Sequence, residues 1–433
     1  MTSVVRAGLF VVAVAIFVVS PAGAQNVSDE TAPTVTRASL SPTSINTNSG
    51  PQNLTITLDV ADDLSGVNYA YVYLRTTATG QTGNSTSLSC YVGQLATGTR
   101  LDGTLTGTCP FPQYSQTGTW FAYDIYVYDG VGNYRRYFEN SNQLSIAPDT
   151  LSVTAPTRPA SAPPDLLSFA ITPDNVDTTA SAQTVTLDVR VTTTEGTFNY
   201  GLVQLSDPTF NQYLTLYFYP WNRVSGDGND GVYRASATLP QYSRSGAWVW
   251  RSGYVYNSQS FYNSYSGPQN GAFRYRSRYD GVNSTFTDLG TSGPTYAPLT
   301  LDVTSTPDIT PPTLISLDIS PASIDVSTSF KYVNFTIAAT DDLSGWYYGC
   351  VSFVSPNGQQ HRSGCVVPPG ASRTGSIFFP QYSQAGNWSV EYLYLYDNSG
   401  NGRFLYPADL VAGGFSTSLQ ISSGVEVRAP LGK

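Results

Sequence analysis

The chain has 433 residues, of which 12% are charged and 40% hydrophobic, and its formal net charge is -9. That length accommodates two to four domains, and that apolar share is enough to fill their cores, which excludes a disordered chain. The acidic balance argues against nucleic acid as a partner, because binding it requires clustered Lys and Arg to neutralise phosphates.

Residues 1–24 read as an export signal: Arg6 gives positive charge, Leu9 to Val19 is an unbroken apolar run, and Ala22-Gly23-Ala24 suits cleavage after Ala24. The run is too short for a good membrane span, so no membrane span is expected in the mature chain. A soluble protein, secreted to the extracellular space or the periplasm, is the expectation.

Three copies of one unit follow. Each opens on prolines nine positions apart, Pro33 and Pro42, Pro164 and Pro173, Pro312 and Pro321, with Ile45, Val176 or Ile324 three residues after the second. An alternating segment comes next: Leu54, Ile56, Leu58 and Val60 in the first copy, Val185, Leu187, Val189 and Val191 in the second, Val333, Phe335, Ile337 and Ala339 in the third. Period-two alternation marks half-buried strands. Later, each copy carries one motif: Pro112-Gln113-Tyr114-Ser115 with Gly118 and Trp120, Pro240-Gln241-Tyr242-Ser243 with Gly246 and Trp248, Pro380-Gln381-Tyr382-Ser383 with Gly386 and Trp388. A fixed motif in otherwise diverged segments means one structural unit copied in tandem. Its Tyr takes the place of a tyrosine corner, with its hydroxyl on nearby backbone, and its Trp fills the core beside it.

Short strands separated by Gly, Asn, Asp and Pro turns describe an all-β chain of three tandem antiparallel β-sandwiches after the signal peptide. The expected domains are 33–150, 163–306 and 311–424, joined by stiff Pro- and Thr-rich spacers, Ser152 to Pro164 and Thr304 to Pro312. The four cysteines fall two in each outer copy, and in an exported chain that distribution predicts disulfides Cys90–Cys109 and Cys350–Cys365.

After the strand that opens with the shared Trp, the outer copies read Asp129-Gly130-Val131-Gly132-Asn133 and Asp397-Asn398-Ser399-Gly400-Asn401. With this Asp-x-x-Gly-Asn turn the chain resembles the immunoglobulin-like and fibronectin-like tandem repeats of bacterial secreted and surface proteins. The resemblance implies sandwich architecture and a role as spacer, cell-adhesion module or accessory domain beside an enzyme.

The outer copies also carry an acidic turn, Asp62-Asp63-Leu64-Ser65-Gly66 and Asp341-Asp342-Leu343-Ser344-Gly345, at what that topology makes the same pole. The middle copy has Thr192-Thr193-Thr194-Glu195-Gly196 and Asn257-Ser258-Gln259-Ser260-Phe261 instead, so both turns are lost together. Two readings stand. Asp62, Asp63, Asp129 and Asn133, with Asp341, Asp342, Asp397 and Asn401, supply part of a calcium shell of carboxylate and amide oxygens. Alternatively, these are the residues that tight turns select for capping and positive φ.

Tyr69, Tyr71 and Tyr73 alternate with inward Val72 and Leu74, and Tyr126 and Tyr128 should join them on an outward face. Such rings suit an extracellular glycan or protein surface as ligand, or simply stabilise the strands by cross-strand pairing. The middle copy is also aromatic, with Tyr213, Tyr217, Phe218, Tyr219, Trp221, Trp250, Tyr254, Tyr256, Tyr262, Tyr265, Tyr275 and Tyr279, and carries an extra segment from Ser266 to Thr295. No catalytic residue is assigned, and the single His361 reads as a solvated loop residue. The expected function is therefore a secreted, non-enzymatic spacer or binding module, with calcium as the one candidate cofactor. The alternative is the accessory or catalytic part of a secreted hydrolase with a site between repeats.

Overall fold

Alternation in the sequence becomes two-layer packing in the computed structural model, which describes residues 25–26, 28–81, 84–138, 150–159, 162–267, 275–279, 284–288, 299–367 and 370–425. The expected export signal and most of the extra middle segment lie outside these residues. In the first repeat one sheet runs in the order Thr34–Ser41, Gln52–Ala61, Asp102–Phe111, Gln94–Gly98. The facing sheet runs Ser44–Asn46, Leu151–Thr154, Gly118–Asp129, Val67–Thr76, Ser87–Val92, with Tyr134–Phe138 paired to the far half of Gly118–Asp129. The chain changes sheets at Pro42: the strand before it pairs antiparallel with Gln52–Ala61, and the short strand after it pairs parallel with Leu151–Thr154. The later repeats switch in the same way at Pro173 and Pro321, where Asn175–Asp177 and Ser323–Asp325 pair parallel with Thr300–Thr304 and Ser418–Ser422.

The inward residues of the alternating strand are fully buried, Leu54, Ile56 and Leu58 at 0% exposure, and they share one cluster with Val72, Leu74, Ile125 and Val127. Each repeat has its own cluster, and none draws residues from another repeat. The chain is thus an all-β array of tandem β-sandwiches. One segment differs from its sequence reading. Leu151–Thr154 is the last strand of the first sandwich and sends Leu151, Val153 and Ala155 into that core, although it lies past residue 150 and was read mostly as spacer. Four residues beside a proline-rich stretch are too few to show periodicity.

The repeated motif builds a rigid loop the same way each time. The Ser hydroxyl donates to the Pro carbonyl at 2.9, 2.7 and 2.8 Å, and the Trp indole N–H donates to the carbonyl of the residue after Ser at 2.7, 2.8 and 2.8 Å. The motif Gly has a φ of 140°, 117° or 125°, and a Cβ there would meet Ala78, Pro208 or Pro356 within 2.9 Å, so only glycine fits. The Tyr does not act as the expected corner. Its backbone is what the fold uses: Tyr242 and Tyr382 adopt φ of 63° and 67°, with their amides bonded to Thr178 and Val326 carbonyls. The hydroxyl role passes instead to Tyr137 and Tyr265, which accept the N–H of Val35 and Leu166 at 2.8 and 3.2 Å.

Both expected disulfides are present. Cys90–Cys109 ties one sheet to the other within the first core, whereas Cys350–Cys365 joins directly paired residues of neighbouring strands on an outer face. Replacing Cys90 and Cys109 by serine is expected to lower first-domain stability by about 3 kcal/mol, the entropy of a loop of this length. Calorimetry would show the first domain melting earlier while the third is unmoved; an unchanged scan would refute the assignment.

Each sandwich has a head, where the Asp-x-x-Gly-Asn turn or, in the middle copy, the Asn257 to Phe261 turn lies, and a tail, where the Pro-Gln-Tyr-Ser loop lies. Arg158 of the first tail donates to Gln259 of the second head at 3.0 Å and lies 4.8 Å from the Phe261 ring. At the second joint the Asp308 N–H donates to Tyr242 O at 2.9 Å, and Arg244 reaches Asn401 Oδ1 at 3.4 Å. The third tail returns to the first head: Asp29 N–H donates to Tyr382 O at 2.9 Å, and Arg362 donates to Val131 O at 2.8 Å. The three domains therefore close into a ring.

Candidate metal centre

At the first head, three segments distant in sequence bring Asp29, Asp62 and Asp129 together; at the third head Asp308, Asp341 and Asp397 do the same. In each triad one carboxylate oxygen per residue lies within 4.8 Å of the others. Asp29, Asp129, Asp308 and Asp397 are buried, and Asp62 and Asp341 are half-buried.

Local chain geometry fixes each carboxylate. Asp62 Oδ2 accepts the Gly66 N–H at 2.7 Å and Asp341 Oδ2 that of Gly345 at 2.8 Å, so each turn wraps around its own aspartate. Asp129 Oδ1 accepts the amides of Val131 and Asn133 at 2.9 and 2.8 Å, and Asp397 Oδ1 accepts that of Asn401 at 2.8 Å. Asp29 and Asp308 reach across to the Ser65 and Ser344 amides, both at 2.8 Å. Two oxygens are left over. Asp62 Oδ1 and Asp341 Oδ1 are buried and take no hydrogen bond.

Electrostatics matches that geometry. Burial, then the nearby Asp29 charge, pushes Asp129 up to about 7, and burial pushes Asp397 up to about 6. Asp62 and Asp341 are raised as well, again chiefly by burial. Arg362 from the third tail is lowered by burial and raised in turn by the Asp129 charge. A dication would answer what the protein leaves uncompensated.

Of the residues proposed from sequence, Asp62, Asp129, Asp341 and Asp397 therefore converge, while the others do different work. Asp63 and Asp342 accept hydrogen bonds from the Thr31 and Thr310 hydroxyls at the rim. Asn133 and Asn401 orient the site: each donates to the buried aspartate of its own turn at 2.7 Å and to the Asp29 or Asp308 carbonyl at 3.1 or 3.2 Å. Their amide oxygens face the docked tail, taking Gln360 at 3.1 Å in one case and Arg244 at 3.4 Å in the other.

Asp29 and Asp308 were missed because they precede the proline that opens each repeat. The signal was nonetheless there: four residues before that proline stand Asp29, Ala160 and Asp308. In the middle copy all three triad positions are uncharged, with Ala160, Thr193 and Asn257. Asn257 keeps the turn, its Oδ1 accepting the Gln259 and Phe261 amides at 3.0 and 2.9 Å, so turn geometry does not need a carboxylate there. Turn chemistry alone thus leaves the outer aspartates unexplained.

No family model matches the chain, and no curated protein sequence does. Among solved structures it is similar to a tetra-tandem repeat from the extending region of a large adhesion protein, with 14% identity, coverage of 89% of this chain and 74% of that one, and a TM-score of 0.18. A membrane-anchored protein of Corynebacterium diphtheriae aligns at 11% identity over 90% of this chain and 92% of that one, with a TM-score of 0.16. CBD12 from CALX1.2 aligns at 9% identity over 54% of this chain and 82% of that one, with a TM-score of 0.17. Superpositions this loose carry no weight for function, which rests on the residues above.

The outward tyrosines form a continuous ladder: Tyr69 stacks on Tyr128 at 4.9 Å, Tyr73 meets Tyr126 at 6.0 Å, and Tyr91 and Tyr134 extend the row at either side. Tyr348, Tyr394, Tyr396 and Phe404 repeat it in the third domain, and Tyr200, Tyr254, Tyr256 and Tyr262 in the second. The middle repeat's other aromatics divide. Phe218, Trp250 and Tyr265 are core residues, whereas Tyr213, Tyr217 and Trp221 are exposed. Tyr219 stacks on Trp221 at 4.5 Å, and the side chain of Tyr275 lies outside the described residues. His361 opens a strand instead of lying in a loop, exposed and 3.1 Å from Glu391. No helix among the described residues is long and apolar enough to cross a membrane.

Proposed function

We propose that the chain is a secreted, non-enzymatic array of immunoglobulin-like sandwiches acting as an extracellular spacer or adhesion module, and that calcium at the two carboxylate triads sets the geometry of its domain heads. The observation that carries this reading is the buried, unbonded oxygen that Asp62 and Asp341 each contribute to a triad of carboxylates. A hard cation accepts such oxygens and fills the rest of its shell with carbonyls and water. Coordinated loss of all three acids in the middle copy supports the same reading, since a cation site has no use for two carboxylates out of three.

The tyrosine ladders are the surfaces offered to a partner, because flat rings with a polar edge suit a sugar face or another protein. Titration calorimetry of the mature chain is expected to count two calcium ions, and Asp62→Asn is expected to leave one. Absence of binding at millimolar calcium would overturn the cation reading. A glycan array and a pull-down with cell-surface material test the partner; clean negatives from both would reduce the role to spacing.

A further inference from the structure

The joint that closes the ring is not covalent, yet it repeats the covalent one. Between the second and third domains, Asp308 N–H meets Tyr242 O and Asn401 Oδ1 takes Arg244; Gln212 Nε2 donates to Ser399 O. Between the third and first, Asp29 N–H meets Tyr382 O at the same 2.9 Å, Asn133 Oδ1 takes Gln360 at 3.1 Å, and Arg362 donates to Val131 O at 2.8 Å. Val131 occupies the place of Ser399 in the shared turn and is 0% exposed, although it belongs to no domain core. Gln360 Nε2 also holds the Asp29 carbonyl at 2.8 Å, and Gln25–Asn26 pairs with Gly424–Val425 beside it.

A head therefore accepts a tail whether or not the chain runs between them. Such a contact joins two different surfaces, the arrangement that gives a ring when the rotation closes and a chain of molecules when it does not. We propose that the third tail is a docking site for the first head of a second copy of this chain, so that the protein exchanges its closed ring for head-to-tail assemblies. Within one molecule the free ends are tethered at high effective concentration, which favours the ring when dilute. At high concentration, or when neighbouring copies are held close on a surface, the same groups join different molecules.

The proposal stands on the joint geometry and requires no cation, so it survives failure of the calcium reading. Charge at the joint gives its test. Val131→Arg places a second cation against Arg362, and Arg362→Glu places an anion against Asp129. Each variant alone is expected to scatter X-rays as an opened chain, with a larger radius of gyration than wild type and an unchanged far-ultraviolet spectrum. The double variant V131R/R362E is expected to close again. An equimolar mixture of the two single variants is expected to sediment as dimers and larger species, because each mixed joint is either wild type or charge-paired. Wild-type dimensions in both single variants would overturn the joint itself. Opened single variants whose mixture stays monomeric at hundreds of micromolar would overturn docking between copies.

Discussion

Trp388→Ala is expected to melt the third domain well before the other two, with a loss of roughly 3–5 kcal/mol from the emptied ring volume alone. Trp388 is fully buried, packs edge-on against Phe379 at 5.2 Å, and donates its indole N–H to Gln384 O at 2.8 Å. Truncation would also leave that carbonyl without its partner, at a cost of about 1–3 kcal/mol. Domain stabilities are typically 5–15 kcal/mol, so most of the third domain's margin would go. The damage reaches the tail, because the Gln384 amide in turn holds Gln360, the residue that meets the first head. Differential scanning calorimetry should split one transition away from the others, while Trp388→Phe, which keeps most of the volume, moves it much less. A shift under about 1 kcal/mol for the alanine variant would mean the ring is not where the stability lies.

The second large effect is a pH dependence of opposite slope to that of an ordinary salt-bridged protein. Asp129 and Asp397 are raised to about 7 and about 6 in the folded chain, whereas an unfolded aspartate titrates near ~3.9. Between those values the folded state keeps protons that the unfolded state has lost, so stability falls as pH rises. It is greatest below about pH 4 with respect to these groups and is lost progressively up to about pH 7. With two buried groups the loss is on the order of a few kcal/mol in chelator. Calcium should restore it at pH 7.5, where the carboxylates are free of protons, and have little effect near pH 4.5, where protons compete. A melting temperature that stays level across this window in chelator would show that the triads are not strained, and with that the case for a cation there would fall.

The sandwich was legible because its strands alternate so strictly that each inward residue named from sequence, from Leu54 to Ala339, is buried. The pole shared by the acidic turns was legible too, from the sandwich topology, and their joint loss in the middle copy linked two motifs separated by some 50 to 70 residues. Asp29 and Asp308 escaped because they belong to the segment entering a domain, where only comparison of the copies, with Ala160 at the middle position, marks them as part of the site. The contacts of Tyr382, Gln360 and Arg362 with the first head escaped for a different reason: a docking surface made of backbone carbonyls leaves almost no imprint on side-chain choice. The Tyr of the repeated motif shows this well. Its hydroxyl is the expected working group, yet in the second and third copies what serves the neighbouring domain is the Tyr242 or Tyr382 carbonyl, aimed by a positive φ.

That last feature bears on how such a chain can change over generations. Because the second and third repeats present the Tyr242 and Tyr382 carbonyls from the same loop, a repeat duplicated from either carries a socket with it, whereas in the first repeat the Tyr114 carbonyl takes the Ser85 N–H of its own domain. Copies can then be gained, lost or shuffled by recombination while the remaining side chains drift, and their neighbours need no compensating substitutions.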